Sequence, residues 1–130
     1  MVCDGPRARP CYAAAPLGTV ILGMIYELRI YEIVPGRMAA IHERFANHTM
    51  QIFERMGIEV VGFWQEVVGR SDRIVYITRF ADMGDRAAKW QAFAADPEWR
   101  EVQASTEADG PIVARVISSF MTPTPYSPIQ

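Results

Sequence analysis

Cysteine is nearly absent from this chain, and its two examples, Cys3 and Cys11, lie within the first dozen residues, outside the patterned region. Two thiols so placed cannot build a disulfide scaffold. Histidine is as scarce. His42 and His48 are the only two, six residues apart on one predicted helix and so on different sides of it, which leaves no two-histidine metal site. Neither sign of charge is in excess: the formal net charge is -2, with acidic and basic residues interleaved. That balance gives no basic footprint for nucleic acid and no polybasic patch for a membrane. No glycine-rich phosphate loop, dinucleotide fingerprint or Ser-His-Asp or Cys-His nucleophile arrangement appears. The apolar run at residues 13–25 is too short to span a bilayer. A reduced, cytoplasmic setting with no metal and no organic cofactor is the simplest expectation.

What is present is an ordinary globular composition. Half of the 130 residues are hydrophobic and 22% are charged, enough for one domain with one core. Residues 1–23 stand apart. Arg7 and Arg9 followed by an apolar run resemble a signal peptide loosely, but Asp4 spoils the charged start. The small residues Ala13–Ala15 also precede the run, where a cleavage site should follow it. Residues 1–23 are expected to be a disordered leader or an extension from an upstream start. The folded domain then covers 24–130.

Tyr26–Gly36 organises that domain. Side chains alternate from Met24 to Ile33, the period of a strand, and Pro35-Gly36 turns the chain. Arg37–Met56 has helical period, with Met38, Ile41, Phe45, Ile52 and Met56 on one stripe and Gly57 as the stop. Ile58–Val67 and Arg73–Phe80 read as a hairpin around Gly69-Arg70-Ser71-Asp72. Asp82 and Asp85 open a second helix, expected to bury Ala87, Trp90 and Ala94. Asp96-Pro97 restarts a short helix with Trp99 and Val102 inward. Ile112–Met121 is a fourth strand, and the proline-rich end at 122–130 is extended. The order βαββαβ predicts an α+β, ferredoxin-like fold: a four-stranded antiparallel sheet with helices on one face.

Parity then divides the strands. Leu28, Ile30, Val61, Phe63, Val75 and Ile77 suit the helix side. That leaves Arg29, Tyr31, Val60, Trp64, Ile74, Tyr76, Thr78 and Phe80 on the open side. An open face so aromatic is more than a monomer normally shows to water. A two-fold homodimer, its two sheets forming one barrel-like core, is expected.

The segments Tyr-Glu-Leu-Arg-x-Tyr (26–31), Pro-Gly (35–36), Gly-Phe-Trp (62–64), Asp-Pro-Glu-Trp (96–99) and Pro-Thr-Pro-Tyr-Ser-Pro (123–128) together resemble the NIPSNAP domain. The resemblance covers essentially 24–129 and implies the dimeric α/β-barrel superfamily. Relatives on that fold include cofactor-independent monooxygenases, polyketide cyclases, lactone isomerases and haem-degrading enzymes. His48 matches a histidine position of the family. Met56, Tyr76 and Thr78 depart from its pattern, standing where histidine, histidine and tryptophan are common.

Two functions follow, in different classes. In the first, the dimer holds a small aromatic or polyketide-like ligand. Arg29 offers forked donors to a developing negative charge, His48 or Tyr76 moves a proton, and Tyr31, Trp64 and Thr78 help to line the site. The chemistry would be that of an isomerase, cyclase or monooxygenase. In the second, the protein is a non-catalytic homodimeric binding or interaction module, with Arg29 paired to Glu27 and the aromatics serving as core. A cavity of a few hundred cubic ångströms with Arg29 at its wall would favour the first, and a filled interior with Arg29 salt-bridged to Glu27 the second.

Overall fold

The alternating stretch forms β1 (Ile25–Ile33), and it lies inside the sheet rather than at its edge. The structure is a computed structural model that describes residues 24–130; the leader expected over residues 1–23, with both cysteines, lies outside them. Strands β2 (Glu59–Trp64), β3 (Arg73–Phe80) and β4 (Val113–Met121) complete a sheet in the order β2-β3-β1-β4, every neighbouring pair antiparallel. Helices α1 (Met38–Arg44) and α2 (Met50–Met56) follow β1, and α3 (Met83–Ala95) and α4 (Pro97–Thr106) follow β3. This is the expected ferredoxin-like order, and the helices cover one face. Among the described residues, no helix is long and apolar enough to cross a membrane.

Local chemistry sets the helix ends. Gly57 takes φ 73°, which a side chain would strain. Its N–H donates to the Glu54 carbonyl and the Ile58 N–H to that of Phe53, the paired closure of a left-handed C-cap. Asp82 accepts from the Asp85 N–H at 2.7 Å, while the Asp85 carboxylate accepts from the Ala81 N–H, so two free donors at the start of α3 are satisfied reciprocally. Asp96 caps α4 through the Trp99 N–H, with Pro97 at the first helical position. The same carboxylate takes two bonds from Arg55, 3.0 and 2.8 Å long, which clamps α2 to α4.

Between α1 and α2 the chain does not stay α-helical. Phe45–Thr49 forms a π-helical turn. One residue more per turn changes which side chains look inward. On a uniform wheel of 3.6 residues per turn, His48 borders the apolar stripe and Phe53 lies well off it. In the structure Thr49 and Phe53 are buried and His48 is only half-buried. Arg44 and Thr49, roughly 140° apart on an α-helix, are brought toward one side by i→i+5 bonding. The second helix also turns differently from its predicted phase: Phe93 is its buried residue, while Ala87 and Ala94 are exposed. Phe93 packs between Phe53, Trp90 and Trp99, a larger apolar surface than two alanines offer.

The faces of β1 and β3 are the reverse of those predicted, while on β2 Phe63 packs on the helix side and Trp64 stays outside, as predicted. Ile33, Ile74, Tyr76 and Phe80 belong to the buried core with Ile41, Phe45, Ile52 and Phe53 of the helices, and Tyr31 and Val60 pack against it. Arg29, Tyr31, Tyr76 and Thr78 therefore lie under the helices. Leu28, Ile30, Val75 and Ile77 lie on the uncovered face, partly exposed. The greater hydrophobicity of the Leu28 and Ile30 parity misleads here, because the helix side of β1 carries the charged pair Glu27 and Arg29. In β2 an irregularity between Val60 and Gly62 shifts the register. It puts Phe63 against the core and leaves Trp64 outside, 51% exposed, with its ring over the Gly62 backbone. On β4, Val116, Ser118 and Phe120 stand opposite Tyr31, Arg29 and Glu27, and Ile117 stands opposite Ile30, so the former share the helix side and Ile117 the open one.

Candidate functional site

The site grows from a charge inside the sheet. Glu27 has no exposed surface, and its carboxylate accepts five hydrogen bonds. Arg29 donates at 3.0 Å, Arg86 at 3.2 and 3.0 Å, the Trp90 indole at 3.0 Å and the Ser118 hydroxyl at 2.6 Å. Burial alone would raise this carboxyl. Hydrogen bonds from Arg86 and Ser118, with the charges of Arg29 and Arg86, instead hold it down to about 2. Three elements meet there, since Glu27 and Arg29 come from β1, Arg86 and Trp90 from α3, and Ser118 from β4.

Arg29 passes the interaction on. Its Nε donates to the Tyr76 hydroxyl at 2.7 Å, and Tyr76 donates to the Tyr31 hydroxyl at 2.8 Å. The guanidinium also lies 4.4 Å from the centroid of the Trp90 ring, a close cation–π contact. Burial opposes the Arg29 charge, but the oxygens of Tyr76, Tyr31 and Glu27 raise its pKa above the ordinary range. Burial pushes the Tyr76 phenol well above the ordinary tyrosine range. The Tyr31 oxygen accepts from Tyr76, so its own proton is left to donate elsewhere.

Tyr31 and Trp90 form part of the wall of a cavity of about 320 Å³. It lies between the helix side of β4, the π-helical turn and the helices α3 and α4. Phe45, Phe53, Phe93 and Trp99 supply apolar wall; Arg44, Thr49, Gln103 and Glu107 supply polar groups. An aromatic enclosure with few polar groups is the usual form of a small-ligand site. Arg44 is only 5% exposed, with its guanidinium 5.2 Å from the Trp99 ring centroid and its Nη1 3.5 Å from Glu107 Oε1.

Of the residues singled out by sequence, the structure gathers Arg29, Tyr31 and Tyr76 into one hydrogen-bonded chain. Only Tyr31 of the three reaches the cavity; Arg29 and Tyr76 stand behind its wall. Thr78 is fully buried and its hydroxyl has no hydrogen-bond partner among the described residues. His48 is not part of the cavity wall and is not joined to the chain. Trp64 belongs to the opposite face. The cavity that Tyr31 lines sits between the sheet and the helices of a single chain. Arg44, Thr49, Gln103 and Glu107 were missed by sequence reasoning. On a uniform wheel Arg44 lies outside the apolar stripe, and the π-helical turn, which side-chain periodicity does not announce, faces it inward with Thr49.

Comparison with known proteins agrees with this fold. The NIPSNAP family model matches residues 26–128. The chain is 31% identical over 80 residues to the mouse protein NipSnap homolog 3B and 30% identical over 80 residues to human NipSnap homolog 3A. Each match takes in 61% of this chain and 32% of the relative, so the chain spans about a third of the length of the curated relatives it matches. Among solved structures, a NIPSNAP family protein of unknown function from Agrobacterium tumefaciens superposes with a TM-score of 0.74 at 26% identity, over 85% of this chain and 97% of that one. A candidate antibiotic biosynthesis monooxygenase from Nitrosomonas europaea gives 0.55 at 14% identity, over 76% and 97%. That last likeness is one of fold.

Proposed function

This chain belongs to the NIPSNAP family, and from that premise we propose that it binds a small, flat molecule between its sheet and its helices. The observation that carries this reading is the aromatic cavity of about 320 Å³, with the Tyr31 hydroxyl in its wall. A site of that size suits a ligand of one or two rings, aromatic or polyketide-like. The reading includes a homodimer through the uncovered sheet face, where Leu28, Ile30, Val75, Ile77 and Ile117 form an apolar surface.

Cofactor-independent chemistry of isomerase, cyclase or monooxygenase type is a second reading. It is favoured by the relay from Arg29 through Tyr76 to Tyr31, which leaves a tyrosine proton available to an oxygen of the ligand. A non-catalytic binding or interaction module is favoured by the 3.0 Å ion pair that occupies Arg29 with Glu27.

Ligand-observed NMR with a panel of one- and two-ring aromatic compounds tests the binding reading. Members of the panel should bind the natural protein and not Val116→Trp, in which an indole fills the cavity from β4 while circular dichroism stays unchanged. No binding to the natural protein, or equal binding to both, would end it.

A further inference from the structure

Resting on that binding reading, we infer that the cavity takes a carboxylic acid, with its carboxylate on Arg44 and its ring system against the aromatic wall. Three observations support the assignment. Arg44 is 5% exposed, yet its Nη1 has no hydrogen-bond partner among the described residues. Its nearest carboxylate, Glu107 Oε1, is 3.5 Å away and out of hydrogen-bond alignment. Arg55 shows what a committed structural pair looks like in this molecule, with two bonds of 3.0 and 2.8 Å to Asp96. A buried guanidinium held so loosely is costly unless something else completes it.

The second observation is Thr49. It is 3% exposed, lines the same cavity, and its hydroxyl has no partner either. The π-helical turn between Arg44 and Thr49 turns both toward the enclosed space, so two unsatisfied donors converge there. A carboxylate has acceptor sites for both, and a guanidinium fork fits its two oxygens.

The third is the aromatic wall beside those donors; Arg115 also borders the cavity, but it shares the parity of Ile117 and its guanidinium pairs with Glu32 at 3.8 Å. The rings of Phe45 and Trp99 beside Arg44 offer flat surface to an aromatic or conjugated body. Glu107 then acts as a competitor that an incoming carboxylate displaces.

Isothermal titration with 2-naphthoate and its neutral counterpart 2-naphthamide tests this. The acid should bind the natural protein about tenfold more tightly than the amide, the difference expected of a charge-assisted fork. Arg44→Gln should bring the acid down to the affinity of the amide. Glu107→Gln should tighten the acid severalfold and leave the amide unchanged, a gain that a misfolded variant cannot give. If the amide binds as well as the acid, or Glu107→Gln gains nothing, the carboxylate assignment falls and the binding reading stands. If neither compound binds the natural protein, both fall together.

Discussion

Two hydrogen bonds, 3.2 and 3.0 Å long, join the Glu27 carboxylate on β1 to the Arg86 guanidinium on α3. Because Arg29 and Ser118 share that carboxylate, one acidic group connects the inner strand, the edge strand and the helix layer. Its removal leaves two guanidinium groups in low dielectric without a counter-charge. Glu27→Gln is therefore expected to lower stability by about 3 kcal/mol, the scale for breaking a buried ion pair from one side. Urea unfolding measures it, and a loss below about 1 kcal/mol would show the cluster to be solvated in practice.

The same group sets an acid limit. Its pKa falls from 4.5 to about 2 on folding, so the unfolded chain binds the proton more readily. The stabilisation is complete above about pH 4.5 and is lost as pH falls toward 2. Integrated, the shift corresponds to about 3 kcal/mol. Urea midpoints across that window should slope steeply for the natural protein and more gently for Glu27→Gln. Equal slopes would assign the acid sensitivity to other carboxylates.

Thr78 is buried under the helices with its hydroxyl unpaired. Valine has the same shape without the polar atom. Thr78→Val should stabilise the fold by about 1 kcal/mol, or raise the melting temperature by about 4 °C. A melting temperature that drops would mean the hydroxyl has a partner in solution.

Ile77 stands in the middle of the uncovered face, opposite Leu28 on β1 and Gly62 on β2. If two copies meet there, Ile77→Glu places like charges against each other and the assembly should separate. Light scattering should report twice the 14.6 kDa chain mass for the natural protein and a single chain for the variant. A natural protein that already elutes as one chain contradicts the dimer.

Much of the fold is legible in the sequence because it is written in strong local signals. The Asp82 and Asp96 caps, the Gly57 stop and the period-two strands lie where the residues place them. What misleads is parity. Choosing faces by hydrophobicity assumes that the richer face goes inside, yet β1 turns Glu27 and Arg29 inward and leaves Leu28 and Ile30 outside. Both sides of this sheet are apolar, so hydrophobicity cannot rank them. Arg29, Tyr31 and Tyr76 were correctly grouped despite that error, since residues of one parity move together when the faces are exchanged. His48 and Thr49 exchange roles for a different reason. Helical wheels assume one winding throughout, and the turn at Phe45–Thr49 breaks that assumption where the cavity wall is built.

That turn makes the winding of the segment, more than the identity of its residues, the sensitive property. Excising one position between them would leave Arg44 and Thr49 four residues apart, about 40° on a regular helix and still on one side. Keeping every residue but winding the segment at the ordinary pitch would instead turn the two roughly 140° apart. The interior would then lose its paired donors while every side chain that supplies them remained in the chain. Regular winding and an inward-looking arginine are thus alternatives for this segment, and the protein holds the second.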